Sequence, residues 1–65
     1  MEDTKKLLDK ITVENVNRQI AEGWTNSFFI AEYIVGTNVW ECLPEWDRKI
    51  LTARVHRVIR ENKLL

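Results

Sequence analysis

Residues 44–65, PEWDRKILTARVHRVIRENKLL, are about a third of the chain, and their reading decides the fold. Wound at about 100° per residue, Leu51, Val55, Val58 and Ile59 gather on one side, while Lys49, Ala53, His56, Arg57 and Arg60 gather on the other. Such a stretch is a helix with an apolar face for a core and a cationic face turned outward. Pro44 marks its start: it pushes Leu43 out of α geometry and suits the first helical position, with Glu45 and Asp47 against the positive end of the dipole. The spacing predicts a helix from Pro44 that frays near Asn62, leaving Leu64 and Leu65 to fold back on the core or meet a neighbour.

Upstream, the chain supplies the partners of that apolar face. Thr12 is placed to cap a helix over Val13–Glu22. Glu14 sits in its first turn, Ile11 and Val16 form a hydrophobic staple, and Gly23 stands where the C-terminus needs a left-handed residue. Val13, Val16 and Ile20 would point inward. Thr25, Asn26 and Ser27 can cap the next element, Phe28–Val35, a short apolar run read as a helix because Ala31 and Glu32 interrupt its β-branched character and Gly36 stops it. Within Thr37–Leu43, Asn38 followed by Glu41 resembles a capping box around one helical turn holding Val39 and Trp40. Met1–Lys10 has room for a turn or two, capped by Asp3 or Thr4.

These readings give an all-α fold: residues 1–65 as one small domain of three to four helices with a long C-terminal helix. The expected core is Val16, Ile20, Trp24, Phe29, Ile30, Ile34, Trp40, Leu51, Val55, Val58 and Ile59. Hydrophobic residues make up 45% of the chain, enough for a packed core.

Ten basic residues balance ten acidic ones. The balance is uneven along the chain: residues 1–45 hold four basic and eight acidic side chains, whereas residues 46–65 hold six basic and two acidic. One end is therefore suited to an acidic partner, unless the two halves simply attract each other across the fold. Cys42 is the only cysteine, which excludes an internal disulfide and makes a cytoplasmic setting the default. No apolar run is long enough for a membrane span or a signal peptide.

Catalysis needs convergent groups, and the sequence offers few. A lone histidine, a lone cysteine and scattered carboxylates supply neither a metal-ligand set nor a nucleophile with its base, and there is no glycine-rich phosphate loop. The reading is a non-enzyme with no cofactor and no metal. His56 reads as an exposed or half-exposed helical side chain and Cys42 as a small buried hydrophobe. Trp24 and Trp40 read as core, and Trp46 as partly buried at the edge of the cationic face.

Two segments, FIAEYIVG and ARVHRVIRENKLL, resemble the second and third helices of helix-turn-helix and winged-helix domains. The resemblance rests on Ile30, Ala31, Glu32 and Gly36 in the first, and on Arg54, Val55, Arg57, Val58, Ile59, Arg60 and Glu61 in the second. It implies that Val13–Glu22 is a supporting helix, that Phe28–Val35 crosses the DNA backbone and that the last helix reads bases. The chain departs from the pattern in two places. Seven residues, Thr37–Leu43, stand where the motif has a turn of about 3–4, and residues 1–65 are expected to hold no β-hairpin wing. The second departure implies a dimer, or a protein partner, to supplement affinity.

The expected function is therefore a small regulator that binds double-stranded DNA as a homodimer. Lys49, Arg57 and Arg60 would contact bases, His56 would assist, Ala53 would allow close approach, and Arg54 and Lys63 would hold phosphates. The alternative is a phage- or plasmid-type adaptor or inhibitor that sets the same cationic helix and Trp46 against an acidic protein surface. A third reading is an oligomer subunit held by Trp46, Leu64 and Leu65.

Overall fold

In the computed structural model, which describes residues 4–65, five helices follow one another: α1 (Thr4–Leu8), α2 (Val13–Ala21), α3 (Ser27–Val35), α4 (Thr37–Cys42) and α5 (Glu45–Asn62). There is no strand among the described residues, and the fold is all-α as its periodicity predicts. Of the proposed caps for the first helix, Thr4 lies inside α1, and Asp3 falls outside the described residues.

Local chemistry explains both ends of α2. The Thr12 hydroxyl accepts from the Asn15 N–H at 3.1 Å, and the Asn15 amide reaches back to the Lys10 carbonyl at 2.7 Å. Such a cap contributes about 1 kcal/mol. Ile11 and Val16, the staple pair, are both buried. At the other end Gly23 takes φ 105° and donates to the Ile20 carbonyl, while Trp24 donates to the Gln19 carbonyl. These paired bonds form a Schellman turn, which aims Trp24 back at the fold. Val13, expected inside, is instead exposed, while Ile11 from the preceding segment is buried.

Asn26 caps α3, its side chain accepting from the Phe28 N–H at 2.9 Å. The inward face of α3 is Ile30, Ala31 and Val35. Phe29, expected in the core, is 44% exposed: it sits about 100° around the helix from Ile30 and meets the rings of Trp24, 6.0 Å away between centroids, and Phe28, 5.9 Å away. In a helix whose apolar residues spread over most of its circumference, periodicity cannot select the buried side.

Gly36, at φ 99°, both ends α3 and begins α4. The capping box expected from Asn38 and Glu41 does not form; the Gly36 carbonyl accepts from the Trp40 N–H at 2.9 Å, so α4 starts one residue before Asn38 with no side-chain cap. Trp40 and Leu43 turn inward. That leaves Cys42, two residues from Trp40 and nearly opposite on the helix, exposed rather than buried.

Pro44 is the N-cap of α5 rather than its first helical residue, since its ψ of 158° is extended and its carbonyl takes the first helical bond, from Arg48. Leu51, Val55, Val58 and Ile59 are buried as their spacing requires. α3 packs most extensively on α5, α1 and α2 add their apolar faces to it, and α4 leans on α3. The core joins Leu7, Ile11, Val16, Ile30, Trp40, Leu51 and Val55, with Ile20, Trp24 and Ile34 partly buried against it. At the far end Lys63 adopts a left-handed conformation, the Leu64 N–H donates to the Ile59 carbonyl at 3.0 Å, and Leu64 folds back on the core.

Candidate nucleic-acid interface

With one side of α5 buried, the other is available along its length. Lys49, Ala53, His56, Arg57 and Arg60 fall within an arc of about 100° and a rise of about 16 Å, and all five are exposed. Arg54, also exposed, lies on the shoulder of this arc. Lys63 is exposed too, but it follows the last helical residue, so the left-handed turn sets its place rather than the helix.

The supposed attraction between the two halves of the chain takes no direct form at this face. Among the described residues, no acidic side chain of α1–α4 forms an ion pair with it. The ion pair it carries is internal to α5: Arg57 Nε to Glu61 Oε2 at 3.0 Å, both side chains more than half exposed. An exposed pair of this spacing is worth about 0.3–0.5 kcal/mol and yields easily to a stronger acceptor. Lys49, Arg54 and Arg60 have neither a hydrogen bond nor an ion pair through their side chains among the described residues.

Arg48 was not singled out in the sequence, and its role is different. It lies on the core side of α5, where its Nε donates to the Trp40 carbonyl at 3.0 Å, Nη2 donates to the Glu41 carbonyl at 3.1 Å, and its guanidinium carbon stands 5.8 Å from the Trp40 ring centroid. It therefore adds a second donor to the Trp40 carbonyl, which already accepts from the Leu43 N–H at 3.1 Å, binds the Glu41 carbonyl at the end of α4 and straps that helix to α5. The signal in the sequence is a cation three residues before Leu51 and seven before Val55, on the apolar stripe, where only a polar partner makes it tolerable.

Between α5 and the first turn of α3 runs an open groove of about 1000 Å³. One wall is Ser27 and Phe28; the other is the flank of α5 from Glu45 through Lys49, Thr52, Ala53 and His56 to Arg60. Phe28 meets Trp40 edge to face, 5.1 Å between centroids, yet stays 42% exposed. Thr52 Oγ1 is buried with no hydrogen-bond partner among the described residues. Ser27, Phe28, Glu45 and Thr52 escaped the sequence reading because the groove exists only once α3 lies across α5.

Trp46, expected to be partly buried, is 71% exposed. It lies opposite Leu51 and Val55 and in line with Ala53, Arg57 and Arg60, so it continues the cationic stripe towards its N-terminal end. Leu65 is 64% exposed while Leu64 packs on the core. Trp46 stands about 24 Å along α5 from Asn62 and Leu65 follows that far end of the helix, so they do not form one patch.

Among the described residues no group of three His, Cys, Asp or Glu side chains is placed to hold a metal ion, and no helix is long and apolar enough to cross a membrane. The chain matches no known protein family, and no curated protein or solved structure is significantly similar to it.

Proposed function

We propose that the chain is a small DNA-binding regulator that presents the outer face of α5 to the major groove. One observation carries the reading: five side chains of the required kinds are exposed along one side of a single continuous helix, with small Ala53 at its centre. A major groove about 12 Å wide and 8.5 Å deep admits a helix with half its circumference free. Lys49 and Arg60 are the base-contact candidates, Arg57 joins them on releasing Glu61, His56 assists, and Arg54 and Lys63 serve phosphates. The reading rests on this face rather than on the helix-turn-helix motif, because α4 stands between α3 and α5 where the motif has only a turn. A homodimer would place two such helices on successive turns of DNA; sedimentation at several concentrations tests it.

The expected result is binding to mixed duplex DNA at low salt, with log affinity falling against log salt by about 0.9 per phosphate neutralised. Arg60→Ala should cost about 1–3 kcal/mol on a selected site, whereas Arg54→Ala should weaken all duplexes alike and lower the salt slope by about one. Both positions are exposed, so melting curves should stay close to the parent's. If Arg57→Ala and Arg60→Ala combined leave a gel shift unchanged, the recognition role of α5 is lost.

A second reading is favoured by Trp46 alone. An indole 71% exposed beside arginines has the composition of a protein-binding hot spot. Absence of any duplex binding at low salt would select an acidic protein surface as the partner.

A further inference from the structure

We infer that the groove between α3 and α5 seats an acidic amphipathic helix of a partner protein. Glu45, Lys49, Ala53, His56 and Arg60 border it at steps of three and four residues, with Thr52 beside Ala53, a seam along α5 of about 22 Å, or four turns. Its middle is small, at Ala53 and Thr52, and Phe28 gives it an exposed aromatic wall. An amphipathic helix laid in a trough uses this combination, anchoring apolar side chains at i, i+3/i+4 and i+7. Charge selects the occupant: Lys49, His56, Arg57 and Arg60 line the groove with Glu45 as its single acid among the described residues, so the docked helix carries carboxylates on its flanks. A bare phosphate chain would gain nothing from Phe28 and Ala53, whereas leucine-like anchors bury against both.

The inference stands independently of the DNA reading. Where both hold, the docked helix covers Lys49, His56, Arg57 and Arg60 and masks them from DNA.

The test uses the full chain and a fluorescein-labelled synthetic helix with leucines at i, i+4, i+7 and i+11 and glutamates on both flanks. Anisotropy should rise to saturation. Affinity should fall about tenfold on Ala53→Gln, which fills the trough without altering charge, and about tenfold on joint replacement of Lys49 and Arg60 by glutamine. It should rise about two- to threefold on Glu45→Gln, a gain that a structural defect does not produce. Equal binding of a peptide of the same composition with its leucines scattered would reduce the effect to charge adherence and overturn the inference. So would an unaltered affinity on Ala53→Gln, or no binding by the parent chain. A mixed-sequence duplex, titrated in parallel, separates the two proposals: peptide binding without duplex binding removes the DNA reading and keeps this one, and the reverse removes this one.

Discussion

Leu51→Ala should lower the stability of the protein by about 3 kcal/mol, within the 2–5 kcal/mol typical of buried leucines. Leu51 is fully buried on α5, the helix against which α1, α2 and α3 all pack. The cavity left there has no flexible neighbourhood to fill it, since Ile30, Val16 and Val55 are also fully buried. A chain of this length has a total stability of about 3–10 kcal/mol, and small domains, which bury only about 60% of their unfolded surface, tend to the lower part of such a range. The substitution therefore removes a large share of the whole. Urea unfolding followed by far-ultraviolet circular dichroism should show the midpoint falling steeply, with Leu51→Met, which conserves volume, costing less than about 1.5 kcal/mol. A loss below about 1 kcal/mol for Leu51→Ala would mean that α5 is not the centre of the core.

Arg48→Ala should cost about 2 kcal/mol, the second-largest effect. The charge-assisted bonds to the Trp40 and Glu41 carbonyls and the contact with the Trp40 ring disappear together, and the end of α4 keeps only its backbone cap from the Leu43 N–H. The Glu41 bond is solvent-exposed, which holds the figure below the sum of its parts. Arg48→Lys should recover less than half, because an ammonium cannot fork across two carbonyls as a guanidinium does. Lys49→Ala, one residue along and exposed, is the control and should change stability by no more than about 0.5 kcal/mol. Equal losses for Arg48→Ala and Lys49→Ala in urea titrations would refute the strap.

The parts of this fold legible in the sequence are those decided by neighbours along the chain. Thr12 and Gly23 delimit α2 through bonds spanning three to five residues, and the two faces of α5 follow from its strict amphipathic spacing. Choices settled by distant residues were not legible. Phe29 stands outside while Val35 and Ala31 go in because the apolar residues of α3 spread over most of its circumference, and only the position of α5 distinguishes the directions. Gly36 pre-empts the Asn38 cap because its positive φ lets α4 begin at once. Trp46 and Cys42 each carry a residue type that favours burial, yet stand on the far side of a helix whose inner positions were already filled. The cationic stripe was readable as a stripe; its groove, with Ser27 and Phe28 as the opposite wall, depends on how α3 crosses α5.

The three tryptophans lie at three depths: Trp40 is nearly inaccessible, Trp24 is half-covered with its ring 4.6 Å from that of Tyr33, and Trp46 projects from α5. Their emission is consequently separable. Trp46 is the wet, red-emitting indole that iodide can reach, and whatever settles on the outer side of α5 shields it from that quencher. Trp40 stays dark to iodide until the core itself opens. The chain thus carries two intrinsic optical reporters, one for occupancy of its surface and one for the integrity of its interior, and neither requires a label.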